Sequence, residues 1–210
     1  MVHVLVCRGG GMTPPLHFMT AGGYSFSEVT SAMQKSIRRG LEEEAMYWAA
    51  ELETKFPDYL WKRLQIISIE DIGIADPQVV LYVAEMRRLY HEIKKEYERS
   101  PNKKSRSFRM ALGNAILSLC RAKKTRIGDE FQIVIYGRRE NGWKIDIPDY
   151  ALDMHTSRGR KMGRGQKHFW EESVKLKNEY RVDNPYHDEA VKIRMAQKKN
   201  KAQCELLPDE

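Results

Sequence analysis

The stretch Trp61–Pro77, W-K-R-L-Q-I-I-S-I-E-D-I-G-I-A-D-P, decides the fold. Leu64, Ile67 and Ile72, with Ile66 and Ile69, recur at mixed three- and four-residue spacings, the pattern of a buried helix. Gly73 ends that helix, Asp76 caps the next, and Pro77 takes its first position, where a missing N–H costs nothing. Glu70 and Asp71 interrupt the apolar run. Two carboxylates there are expensive to bury unless they are paired or lie at an edge. Neighbours on a helix point about 100° apart, so the two do not face one cleft as an acid pair would. The expected use is architectural: capping, or pairing with Arg63 or Arg39.

Working outward toward the N-terminus, the sequence predicts a helical hairpin. Ser25 or Ser27 can cap a first helix, with Val29, Ala32, Met33, Ser36 and Ile37 on its apolar face and Gly40 at its C-terminal end. A second helix begins near Leu41, with Glu42, Glu43 and Glu44 suited to its positive N-terminal end. Ala45, Trp48, Ala49 and Leu52 form its inner stripe, and Pro57 closes it. The third helix is expected over Leu60–Ile72 and the fourth over Pro77 to about Arg99. Residues 1–23, rich in glycine and proline at both ends, read as a flexible leader.

Downstream, a fifth helix carries Met110, Ala111, Ala115, Leu117 and Cys120. From Lys103 through Lys104, Arg106, Arg109, Arg121, Lys123 and Lys124 to Arg126, no acid interrupts the basic residues. The segment Phe131–Trp143 supports two readings: a short hairpin near 131–145, favoured by β-branched residues and Asn141-Gly142, or a short helix ending at Gly137. A glycine-rich basic loop follows, in which Arg158, Arg160, Lys161, Arg164 and Lys167 alternate with Gly159, Gly163 and Gly165. Glycines let a backbone approach a partner closely, and the cations would neutralise phosphates; the competing reading is an ordered loop whose glycines serve turns. These thirteen basic residues are the expected DNA contacts. The chain thus divides into the leader, a helical domain over 24–180, and a basic polar tail over 181–210.

With 210 residues, 41% hydrophobic and 31% charged, the chain is long enough for a sizeable core beneath a highly charged surface. A net charge of +7 favours an anionic partner, nucleic acid first. No apolar run approaches the ~18 residues of a membrane span. Met1–Cys7 is apolar but lacks the basic lead-in of a signal peptide. Cys7, Cys120 and Cys204 are odd in number and far apart, with no ligand spacing, a pattern of a reducing, cytoplasmic compartment with no zinc site and no other metal or cofactor. There is no phosphate loop, H-E-x-x-H or nucleophile elbow, and the six histidines are scattered. The expectation is a non-enzyme. The alternatives are a purely structural assembly protein and a small metal-dependent hydrolase or nuclease using Glu70 and Asp71.

Several blocks, in order, resemble one family. S-A-M-Q-K-S-I-R-R-G with A-M-Y-W (Ser31–Trp48), R-L-Q-I-I-S-I-E-D-I-G-I-A-D-P (Arg63–Pro77), A-I-L-S-L-C-R-A-K-K-T-R (Ala115–Arg126), and I-P-D-Y-A-L-D followed by M-G-R-G (Ile147–Gly165) are similar to the C-terminal region of the RarA/MgsA family. These are replication-associated recombination AAA+ ATPases related to clamp loaders and to the Werner-helicase-interacting protein. The likeness covers roughly Tyr24–Glu172 and lacks the family's Walker motifs; Arg39-Gly40-Leu41 replaces its usual turn. It implies an all-α, clamp-loader-collar-like domain that oligomerises, as a tetramer in the family. The function it implies is a stand-alone collar and DNA-binding domain in replication, recombination and repair, beside a separate AAA+ subunit that hydrolyses ATP. Trp48, Arg63, Glu70, Asp71, Gly73, Asp76 and Pro77 fall within its blocks as structural residues.

Overall fold

The first helical pair follows the sequence pattern closely. In α1 (Phe26–Arg39), Val29, Thr30, Met33, Gln34, Ser36 and Ile37 are buried. Gly40 ends it in the left-handed conformation, φ 71°, a region where a side chain is strained. There the Gly40 N–H donates to the Ile37 carbonyl and the Leu41 N–H to that of Ser36, closing the helix end. The turn sends α2 (Glu42–Lys55) back along α1, burying Ala45, Ala49, Leu52 and Glu53. Trp48 is only partly buried and packs edge-on against Tyr24, ring centres 5.4 Å apart.

The computed structural model describes residues 18–100, 106–180 and 183–204. Most of the expected leader, the basic residues Lys103 and Lys104, and the end of the tail lie outside them. The described residues form an all-α protein whose only bridge is between Met19 and Ser25. None of its helices is long and apolar enough to cross a membrane. The chain divides into two compact units at Asn141/Gly142.

In the first unit, Pro57 does not merely close α2. It opens α3 (Pro57–Ile67), three residues earlier than expected, because proline at the first position needs no N–H partner. Beyond Ile67 the chain widens into a π-turn over Ser68–Ile72, followed by a short 3-10 turn, Gly73–Ala75. Gly73 sits at φ 47°, ψ −120°, a conformation open essentially to glycine alone. The Asp76 carboxylate accepts from the Val79 N–H at 3.4 Å and Pro77 begins α4 (Pro77–Arg99), as the sequence implied. α5 (Phe108–Arg121) packs along α4.

The core lies where these helices converge. Trp61, Leu64, Tyr90, Leu112 and Leu119 are completely buried. Tyr90 holds the centre: its ring meets Trp61 at 5.1 Å and Phe108 at 5.3 Å, and its hydroxyl donates to Glu53 at 3.0 Å. Offset and edge-on aromatic pairs of this kind add about 0.5–1.5 kcal/mol each beyond burial.

The segment that allowed a hairpin is helical: α6 runs from Ile127 to Glu140. Two physical features decide it. Asp129 and Glu130 stand in the first turn and Arg138 and Arg139 in the last, the charge order that complements a helix dipole. Asn141-Gly142 is used to stop the helix instead of turning a hairpin: the Asn141 N–H donates to Gly137 at 3.1 Å and Gly142 takes φ 85°.

The second unit is built differently. A 3-10 turn at Asp149–Ala151 is followed by α7 (Ser157–Lys161), a single turn α8 (Gln166–His168), a π-turn Phe169–Ser173, and α9 (His187–Cys204). Its buried residues are Leu152, Asp153 and Gly159, among those described.

Candidate nucleic-acid interface

The two acids of the central stretch are held by cations from other helices. The π-turn places both carboxylates toward α1, where the Arg38 Nε donates to Asp71 at 2.8 Å and a terminal Arg38 nitrogen to Glu70 at 2.8 Å. Gln34 donates to both acids, at 3.1 and 3.2 Å, and in turn accepts from Arg63. Arg126 reaches Glu70 at 3.4 Å and also pairs with Asp129 of α6. The partner is therefore Arg38, one residue from the expected Arg39, and Arg63 acts only through Gln34. The Asp71 side chain is 2% exposed, so its charge is tolerated only because every side is answered. The same residue's carbonyl accepts from Thr125 at 2.9 Å, tying the loop before α6 to the π-turn.

The basic run between 103 and 126 is uninterrupted in sequence but not in space. Arg109 bridges to Glu53 at 2.8 Å, neutralising a carboxylate 6% exposed that also accepts from Tyr90. Beside that carboxylate, burial pushes the Tyr90 phenol well above its ordinary range. Arg121 meets Glu42 at 2.7 Å and 3.0 Å in a bidentate pair, and its guanidinium holds that carboxyl below its usual range. Lys124 caps the end of α5, donating to the carbonyls of Cys120 at 2.7 Å and Ala122 at 3.1 Å. Arg106 and Lys123 are exposed and make no ion pair with a described residue. Sequence reasoning missed Arg38, Gln34 and Glu53. Glu53 was detectable, because it stands four residues after Ala49 on the buried stripe of α2 and must find a cation.

The glycine-rich loop is a folded unit. Thr156 caps α7 by accepting from the Gly159 N–H at 2.9 Å. A Cβ on Gly159 would lie 1.9 Å from the Asp153 carbonyl oxygen, so only glycine fits. Arg164 turns inward and donates to the carbonyls of Asp149 at 2.7 Å and Leu152 at 3.0 Å and to the Asp149 carboxylate, which it holds below the usual range. Arg160 donates to the His155 carbonyl at 3.2 Å, and Lys167 lies 3.9 Å from Glu171. Arg158 and Lys161 are exposed and make no ion pair with a described residue. His155 donates its backbone N–H to Asp153 at 2.9 Å and brings its ring Nδ1 to the other carboxylate oxygen at 2.9 Å. These contacts, the ring first, hold the Asp153 carboxyl low.

α6 presents a different kind of surface. None of its residues is buried. Ile127, Phe131 and Val134 recur at i, i+4 and i+7, one face of the helix, and are 51%, 66% and 44% exposed. Beside it, Gly128, Asp129 and Gln132 line a cleft of about 390 Å³ against Ile66, Ile69 and Glu70.

The family described as MgsA AAA+ ATPase C terminal matches residues 42–205. Replication-associated recombination protein A of Escherichia coli K12 is 27% identical over 149 residues, 70% of this chain and 31% of that protein. The protein of the same name from Bacillus subtilis 168 is 28% identical over 148 residues, 68% of this chain and 32% of its own length. That of Haemophilus influenzae is 38% identical over 60 residues, 28% of this chain. The matched stretch is thus about a third of the length of the Escherichia coli and Bacillus subtilis relatives. With the family match extending over residues 42–205, most of its length, this chain belongs to the MgsA AAA+ ATPase C-terminal family.

Proposed function

We propose that this chain is an assembly and DNA-contacting domain of the replication and recombination machinery, working with an AAA+ module that supplies ATP hydrolysis. The collar-like reading rests on the family and on relatives named for replication-associated recombination. The observation that carries it is α6. A helix of this length is marginal in water by itself, and its stability in proteins comes from burying one face. This one leaves Ile127, Phe131 and Val134 in solvent. A second copy of the chain covers that face, in the tetramer the resemblance implies.

Sedimentation velocity tests the assembly. Phe131→Asp with Val134→Asp, both at exposed positions, dissociates the oligomer while helical content is kept. A wild-type protein that is monomeric at all concentrations overturns it. The DNA contacts are assigned to the cations left unpaired, Arg106, Lys123, Arg158 and Lys161, with Lys103 and Lys104. Binding measured against salt falls steeply, and changing these six to alanine lowers both affinity and salt slope. Without DNA binding at low salt, the protein is a purely structural assembly domain. The network around Glu70 and Asp71 supports an architectural role for both acids over a hydrolytic one.

A further inference from the structure

We propose that the groove between α2 and α5 is a docking site for a basic amphipathic helix of a partner protein. The groove encloses about 550 Å³. Its floor and walls are Met46, Tyr47, Ala50, Gly113, Ile116 and Leu117. Tyr47 is 49% and Leu117 38% exposed, so large apolar surface stands in water there.

Gly113 is the feature that folding does not explain. It lies in the middle of α5, without the positive φ that favours glycine, and a Cβ built on it meets nothing within 4 Å. Glycine inside a helix is unfavourable relative to alanine. Its effect here is to leave open space in a lining it shares with the small Ala50 and the bulkier Met46, Tyr47 and Leu117. An apolar groove with open space along its lining can receive the ridge of an amphipathic helix.

Charge selects the occupant. The rim carries Glu42 and Glu43 at one end. Glu43 is exposed and makes no ion pair with a described residue, whereas Glu42 is held by Arg121. On a chain of net charge +7 this leaves the Glu43 carboxylate as a negative charge at the rim of an apolar site, which suits a helix with an apolar ridge and lysine or arginine beside it. The surface is separate from the α6 face assigned to self-assembly, so either can fail without the other.

The test uses the full chain and two synthetic helical peptides of roughly 18 residues, with leucines at i, i+3, i+4 and i+7, one flanked by lysines and one by glutamates. Fluorescence anisotropy measures each against wild type, Gly113→Leu and Glu43→Lys. Gly113→Leu fills the groove and improves helix propensity, and Glu43→Lys changes only an exposed side chain, so one reports if the other misfolds. The expected result is binding of the lysine peptide alone, weakened at least about tenfold by Gly113→Leu and measurably by Glu43→Lys. Sedimentation of Gly113→Leu stays that of wild type. Failure of the lysine peptide to bind, equal binding of both peptides, indifference to Gly113→Leu, or a change in self-association on filling the groove would each overturn the proposal; the last would assign the groove to a second copy.

Discussion

The two units solve the same problem with different materials. Residues up to Asn141 surround a core of buried aliphatic and aromatic side chains with Tyr90 and Trp61 at its centre. Among the described residues from Gly142 onward the buried apolar side chain is Leu152, and beside the partly buried rings of Phe169 and Trp170 the fold is held by Arg164 on two carbonyls, Asp153 on His155, and a glycine pressed against a backbone oxygen. Apolar burial is non-directional and tolerates small shifts, whereas a hydrogen bond fails within a few tenths of an ångström. The first unit therefore gains stability in proportion to area, and the second depends on each contact being made.

The largest test of that contrast is Trp61→Ala. Removing a completely buried indole costs about 3–5 kcal/mol. Chemical denaturation monitored on the first unit should show a large drop in midpoint. If it does not, the core has been misidentified as the source of its stability.

Asp71→Ala comes next. It removes the buried carboxylate that Arg38 and the Gln34 amide share with Glu70, at a cost of about 1.5–3 kcal/mol. Asp71→Ala combined with Arg38→Met should cost less than the sum of the two single changes, since both remove the same hydrogen bond. An additive double mutant in denaturant melts would show that the two residues do not act together.

Gly159→Ala targets the second unit. The added methyl meets the Asp153 carbonyl and costs about 2 kcal/mol of local stability. Amide hydrogen exchange should speed up over 149–164 while the amides of α4 and α5 keep their protection. Loss of protection in both places would erase the contrast.

The smallest effect is in pH. Burial first, against the opposing pull of Asp58, lowers the His91 pKa in the first unit. Its unfolded value is near 6.5, so below that pH the unfolded chain takes a proton before the folded one does. The stabilisation is full above about pH 6.5 and is lost as pH falls through the depressed folded value. In the second unit, Asp149 and Asp153 are held low by Arg164 and His155. Their contribution is present above about pH 4 and disappears only as pH falls through the lowered values. Thermal melts from pH 7 to 5 should thus soften the first unit alone, and His91→Gln should remove that slope.

Apolar periodicity and stop signals made the first five helices legible, because a buried face repeats at helical spacing and Gly40, Gly73, Asp76 and Pro77 have backbone uses that residue type reveals. α6 was ambiguous for a physical reason: its apolar residues are not buried in the chain, so no inward stripe separated helix from strand. The candidate site was the least legible part. The run from Lys103 to Arg126 looked uniformly positive because its acids, Glu42, Glu53 and Glu70, come from distant segments. Spacing also could not reveal that a π-turn would aim Glu70 and Asp71 at Arg38 in place of Arg39. Arg164, read as a phosphate contact, spends its donors on main-chain oxygens fifteen and twelve residues earlier.

The π-turn at Ser68–Ile72 has a consequence for how this chain tolerates length changes. A π-turn holds one residue more than regular α-helix requires, and each residue turns a helix by about 100°. Deleting Ile69, which is 64% exposed, removes no core atom. It would nonetheless let the turn relax to ordinary winding and swing Asp71 off Arg38. The start of α4 would be re-aimed with it. One surplus residue thus sets the rotational phase between the two halves of the helical core, and a deletion harmless by composition would act as a change of gear.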